Sequence, residues 1–234
     1  MAKQKPTLKQ EHRKRVQEVQ TSLKSINPDV VAWRTQIAPP QVLAKIRFQI
    51  PLLYRQKRLK VTDEYCLEWL QDIKNKKPPL LIGKTGVGKT HTLFALCLGI
   101  GAKVEEINLD LLKNAVPFNK PNYVTPAIKV VTSIQLINKI RRGIDLKITE
   151  HVLKTFCEFD VLMLDDFGAE KITEWVKEQF FLILDYRLQW RKQTIIASNL
   201  YPEEIALAHG ERIASRLFEL CHPVIIKGKD RRLK

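Results

Sequence analysis

Leu80–Thr92 reads LLIGKTGVGKTHT, and the interpretation of the whole chain turns on it. Three apolar residues, Leu80, Leu81 and Ile82, run into Gly83-x-x-x-x-Gly88-Lys89-Thr90, the spacing of a Walker A phosphate loop. Each residue type has a mechanical reason. Gly83, Gly86 and Gly88 let backbone N–H groups close around phosphate oxygens with no Cβ in the way. A helix starting near Lys89 turns its positive N-terminal end to the same anion. Lys89 reaches the outer phosphates, and the Thr90 hydroxyl is a ligand for Mg²⁺. The phosphate-contacting set is therefore Gly83, Lys84, Thr85, Gly86, Val87, Gly88, Lys89, Thr90 and His91. An apolar strand before the loop and an apolar helix after it (Leu93, Phe94, Leu96, Cys97) separate this reading from an ordinary glycine-rich turn. The stretch specifies a nucleoside-triphosphate site.

Downstream, strand-like and helix-like segments alternate. Ile128–Thr132 reads as a strand, and Ile134–Arg142 and Glu150–Phe159 as amphipathic helices. Val161–Leu164 is a short apolar strand running into Asp165-Asp166. Glu174–Trp190 follows as a long helix, then a strand over Thr194–Ala197, one helix around Ala206–Leu220, and a last strand over Val224–Ile226. Upstream, Thr62–Asn75 reads as a helix, with Tyr65, Trp69 and Ile73 at four-residue steps. The alternation predicts an α/β fold, a parallel sheet with helices on both faces. Lys103–Pro126, with prolines at 117, 121 and 126, reads as an insertion or long loop.

The chain of 234 residues carries a net charge of +15, unevenly placed. Residues 1–60 hold 14 Lys/Arg against 3 Asp/Glu, and the remainder holds 26 against 22. A basic arm on a near-neutral body fits a polyanionic partner or an acidic protein surface. Within the arm, Lys9–Ile26 is a predicted helix with Val16, Val19, Leu23 and Ile26 along one face. Residues 1–47 are expected to form a basic, largely helical adaptor, and residues 48–234 the nucleotide-binding domain. Cys66, Cys97, Cys157 and Cys221 are scattered singly, which fits reduced, buried thiols and no zinc site. Residues 1–15 are mostly polar and basic, with no secretory or membrane-spanning run, so the expected compartment is the cytoplasm.

Asp165, ending an apolar strand, is the expected Walker B carboxylate, holding Mg²⁺ opposite Thr90. Asp166 follows at the position where related P-loop ATPases carry an acid that orients or deprotonates the attacking water. Asn199 closes the next strand, where P-loop ATPases with an extra strand between the Walker motifs carry a polar residue that contacts the γ-phosphate or the water; a turn-forming Asn before Tyr201-Pro202 is the competing reading. In GERIASRL (Gly210–Leu217), Arg212 and Arg216 fall four apart on one helical face. A solvated basic face is one reading. The other is an arginine finger acting on a neighbouring subunit's nucleotide.

IPLLYRQ (Ile50–Gln56), GKTGVGKTHT, LDDFGAEKITEW (Leu164–Trp175), TIIASNL (Thr194–Leu200), GERIASRL and GKDRRLK (Gly228–Lys234) together resemble the DnaC/DnaI-type helicase loaders among the AAA+ ATPases, over about Ile50 to Lys234. The resemblance implies a P-loop fold of AAA+ type with sheet order 5-1-4-3-2 and little or no C-terminal lid. It implies Mg²⁺-dependent ATP hydrolysis, stimulated by oligomerisation or DNA. Asn199 would be sensor 1, Arg216 the finger with Arg212 beside it, and Ile50–Arg55 would lie near the adenine. The implied partners are a DnaB-type replicative helicase, single-stranded DNA, to which Lys139–Arg142 and Lys147 would contribute, and further copies of the chain, with no membrane. The IstB-type transposition ATPases, which would assemble on duplex DNA, resemble the chain nearly as well in the phosphate loop. A small-metabolite kinase would share that loop but has no use for the basic arm or the GERIASR element. An ATP-gated binding module with negligible turnover is a further alternative.

Overall fold

Pro79–Ile82 (β1) is buried at every position, as expected of a strand covered on both faces. The computed structural model describes residues 49–55, 60–113 and 127–230. Among them the order runs α1 (Leu52–Arg55), α2 (Glu64–Gln71), β1, α3 (Lys89–Lys113), β2 (Ile128–Thr132), α4 (Ser133–Asp145) and α5 (Thr149–Glu158). It continues β3 (Val161–Phe167), α6 (Glu174–Gln189), β4 (Gln193–Ser198), α7 (Pro202–His209), α8 (Glu211–Leu220) and β5 (His222–Ile225). The strands form one sheet in the order β2-β3-β4-β1-β5, every neighbouring pair parallel. That is the 5-1-4-3-2 arrangement, read from the other edge.

Alternate side chains feed two cores. Leu80, Ile82, Leu162, Leu164 and Ile196 meet the layer of α4 to α8, where Leu136, Ile140, Phe180, Ile183 and Leu217 are buried. Leu81, Met163, Ile195 and Ala197 meet α2 and α3 through Trp69, Leu93, Leu96 and Cys97. Helix starts are fixed locally. The Asp63 side chain accepts from Cys66 N–H, Thr132 and Gln135 make a capping box, and Thr173 accepts from Val176 N–H. All four cysteines are buried free thiols. Among the described residues no helix is long and apolar enough to cross a membrane.

Two expectations are corrected. The phosphate-loop helix continues to Lys113, so 103–113 is helix and not loop. The run read as one helix over Ala206–Leu220 is two, broken at Gly210 with φ +90°. The strand expected to end in Asp165-Asp166 runs one residue further, to Phe167. The adaptor expected over residues 1–47 lies outside the described residues, as do 114–126 and the last four residues.

Candidate nucleotide site

The sheet topology places the ends of β1, β4 and β3 side by side, and the predicted chemistry gathers there. Behind β1, the Gly83 N–H donates to Ser198 O at 3.3 Å, and Ile226 N–H donates to Ile82 O at 2.7 Å. Ile226 O sits where a Cβ on residue 83 would be, 2.5 Å from it, so only glycine lets the loop leave the sheet here. Gly86 has φ +80°, and the space its Cβ would take holds the Asp230 carboxylate. The C-terminal Gly228–Asp230 stretch thus lies against the phosphate loop. In sequence it carries family likeness and no assigned role.

Lys89, the first residue of α3, is 6% exposed. Its ammonium donates to Gly83 O (2.7 Å), Lys84 O (2.8 Å) and Asn199 Oδ1 (2.5 Å). Asn199 therefore turns its amide oxygen to the Lys89 ammonium. Thr90 Oγ1 donates to Asp165 Oδ1 at 3.1 Å, which joins the two predicted metal-binding residues. His91 Nε2 accepts from Lys60 N–H at 3.4 Å, which ties it to the segment before α2.

The ladder between β3 and β4 is irregular from Leu164 to Phe167, and Asp166 has φ +53°, an uncommon conformation for a side-chain-bearing residue. Hydrogen bonds hold it there. Ser133 Oγ donates to Asp166 O at 2.7 Å, Asp166 N–H donates to Asp165 Oδ1 at 3.1 Å, and Ser198 Oγ donates to Phe167 O at 2.8 Å. Ser133 and Ser198, which brace this turn, carry no signal in the sequence beyond small hydroxyls at element ends. Burial, and then the neighbouring Asp166 charge, push the Asp165 carboxyl up to about 6, against the pull of Thr90, the Asp166 N–H and Lys89. A buried carboxylate beside a hydroxyl and a second carboxylate is an oxygen donor set suited to a hard divalent cation. These residues fit Mg²⁺.

Arg212 and Arg216 are brought together with each other but not with this cluster. Their guanidinium carbons lie 4.3 and 6.0 Å from the Phe181 ring centre on α6. Arg216 Nε donates to Asp185 Oδ1 at 2.6 Å, and its other arm is 3.7 Å from Glu219. Arg216 also borders a groove lined by Lys74, Lys76, Lys77, Arg191 and Lys192. At the other end of the chain, Ile50 is buried, and Tyr54 of the stretch expected near the adenine lies on Phe94 of α3, ring centres 4.9 Å apart.

A five-stranded parallel sheet in this order, with a lysine-bearing phosphate loop after β1, paired acids on β3 and an Asn after β4, defines an AAA+ type P-loop ATPase domain. Residues 69–220 match the family model for the bacterial DnaA ATPase domain, and the chain belongs to that family. It also resembles the DnaC/DnaI-type loaders. Over 165 residues it is 26% identical to the replicative helicase loader DnaI of Bacillus subtilis, a match covering 65% of this chain and 46% of DnaI. A crystal structure of DnaI shares the fold at TM-score 0.55 and 22% identity, covering 78% of this chain and 94% of that one. The replication initiator DnaA bound to AMPPCP and single-stranded DNA aligns at TM-score 0.55 and 20% identity, over 72% of this chain and 48% of that one. The chain thus spans about half the length of the curated DnaI it matches.

Proposed function

We propose that this chain is an ATP-dependent loader that delivers a hexameric DnaB-type helicase to single-stranded DNA at the start of replication. The observation that supports this most directly is the convergence of Lys89, Asn199, Thr90 and Asp165 at one sheet edge, in a chain similar to a helicase loader. Residues 48–234 act as the ATPase domain and residues 1–47, rich in Lys and Arg, as the adaptor that meets the helicase.

In this reading the backbone from Gly83 to His91 cradles the triphosphate, and Lys89 exchanges one of its present acceptors for a phosphate oxygen. Thr90 and Asp165 hold Mg²⁺, which when bound offsets negative charge on the phosphates. Asp166, set by its left-handed backbone and the Ser133 bond, orients the attacking water. Asn199 registers the γ-phosphate through Lys89. Arg216, with Arg212, leaves its Asp185 contact to reach a neighbouring subunit's nucleotide, so the working form is an ATP-dependent oligomer. The cations on α4 and beside Arg216 supply phosphate contacts for DNA.

The test is capture of the host's replicative helicase by the full chain and by a version lacking residues 1–47, with anisotropy on matched single- and double-stranded oligonucleotides. The full chain should retain the helicase and the shortened one should not, while both bind ATP. Binding to single strands should be preferred with ATP and should weaken steeply with salt, as counterions are released. A full chain that ignores the helicase and coats duplex DNA would replace this reading with the IstB-like one.

A further inference from the structure

Two buried ionisable side chains, Glu170 and His209, take no part in the chemistry above, yet they lie between its two halves. Their side chains are 3% and 0% exposed. Glu170 belongs to the turn that leaves β3. One carboxylate oxygen, Oε2, accepts from Gly168 N–H at 3.1 Å, and Ala169 N–H donates to Asp166 O at 3.1 Å. Gly168 has φ +93°, and a Cβ there would come within 2.5 Å of Leu200 Cδ1, so the turn is also fitted against the residue after Asn199. The second oxygen, Oε1, faces His209 Nε2 at 3.5 Å. Neither that oxygen nor either imidazole nitrogen has a hydrogen-bond partner.

The imidazole is held by rings. It lies flat on Phe167, the last residue of β3, with centres 4.5 Å apart and planes at 20°, and edge-on to Phe180 at 5.9 Å. His209 is also the last residue of α7, and after Gly210 the chain enters α8 with Arg212 and Arg216. For packing alone this is a poor choice, because unpaired buried polar atoms cost stability that two apolar side chains would not. Burial raises the Glu170 carboxyl, against the pull of backbone N–H groups at the turn. Burial, and then Lys177, bring His209 down to about 4. Both shifts lie toward the uncharged forms, and Oε1 faces Nε2 across 3.5 Å.

We propose that Glu170 and His209 are a positioning pair that fixes the Asp166 turn against the root of α8, so that one contact sets both the water-orienting carboxylate and the helix of the trans-acting arginines. This rests on the roles proposed above for Asp166 and Arg216. Neither residue touches nucleotide in this scheme; they act through Phe167, Gly168 and Gly210.

The test measures ATP affinity and steady-state hydrolysis of the full chain carrying Glu170→Ala, Glu170→Gln, His209→Phe or Asp166→Asn. Glu170→Ala should lower kcat about 10- to 100-fold, the scale of a misplaced catalytic group, with ATP affinity within about twofold of the parent. His209→Phe keeps the ring stack and removes the nitrogens, and should reproduce that loss. Combining it with Glu170→Ala should cost nothing further. Glu170→Gln keeps an acceptor for Gly168 N–H and a donor for His209, so it should hold most of the parental rate. A merely structural role makes the opposite forecast, that His209→Phe preserves kcat and any loss follows ATP binding and melting temperature. Asp166→Asn separates the layers. If it is inactive while Glu170→Ala and His209→Phe turn over at the parental rate, the positioning pair alone is refuted. If it hydrolyses ATP normally, the reading of Asp166 falls and takes the pair with it.

Discussion

Replacing Lys89 by Ala tests the site at its centre, and its size can be worked from three hydrogen bonds. The ammonium meets Gly83 O, Lys84 O and Asn199 Oδ1 at 2.5 to 2.8 Å. Without nucleotide, the variant loses these bonds but also the cost of keeping a charge 6% exposed. Lys84 is open to water, which can solvate its freed carbonyl, whereas the Gly83 carbonyl is buried. The two effects oppose each other, and folding stability should change by no more than about 1 kcal/mol. Binding is offset only by the one acceptor that Lys89 gives up. A charge-assisted bond to phosphate contributes roughly 1.5–3 kcal/mol, so ATP affinity should fall by about 10- to 150-fold. Calorimetric titration with ATP, alongside urea unfolding of the same variant, reads both quantities. A folded Lys89→Ala protein with the parental affinity would refute the assignment of this loop to phosphate. So would a variant whose lost affinity is matched by a collapse of the unfolding midpoint.

Two further outcomes follow from the arginines. Arg187→Leu should destabilise the domain by about 3–5 kcal/mol in urea unfolding, because a fully buried guanidinium bonded to Thr194 Oγ1 and to the carbonyls of Phe156, Cys157, Phe159 and Gln193 is removed and its acceptors are left unpaired; a change below about 1 kcal/mol would contradict this. Arg216→Ala should keep ATP binding but lose turnover, by about 10³–10⁵ if it is a full trans finger, and mixing it with Asp166→Asn should restore part of the rate; no recovery in any mixture, with a rate per subunit independent of concentration, would exclude the trans geometry.

How much of this was legible in the sequence depended on whether the signal was local. Strand β2 was read at its observed limits, because its β-branched residues are bounded by a proline and by the Thr132 cap. The 103–113 stretch was misread because prolines at 117, 121 and 126 lent their character to residues before them, although no proline interrupts the helix itself. The break at Gly210 was hidden because apolar positions continue at helical spacing across it; only the φ of +90° shows that the chain turns. The Asp165-Asp166 pair was legible at the end of its strand from the apolar run before it, while the β3–β4 bulge at Asp166 was not. Arg187 was not singled out in the sequence. Its five acceptors lie on α5, on Phe159 just after it, and on β4, and no single-sequence pattern encodes that. The same holds for Glu170 and His209, which meet only through the tertiary fold.

The strand order itself explains why Asn199 is joined to Lys89. With all strands parallel, whatever follows each strand emerges at the same edge, and order along the sheet then decides which loops are neighbours. Strand β4 lies between β1 and β3. Its C-terminal residue therefore sits between the lysine that follows β1 and the carboxylates that end β3. Were β4 at an edge, Asn199 would lie at least one further strand spacing, roughly 5 Å, from one of those groups. Lys89 has three donors, and of the three acceptors named above Asn199 contributes the one that belongs to a side chain. A phosphate oxygen that claims one of those donors competes with Asn199 more readily than with loop carbonyls fixed by the backbone. Leu200, next in sequence, packs against the Gly168 turn, so a change at Asn199 has a short path to the residues that hold Asp166. In the proposed mechanism, placing the Asn199 strand between the two motifs makes the presence of the terminal phosphate a local event for Asp166.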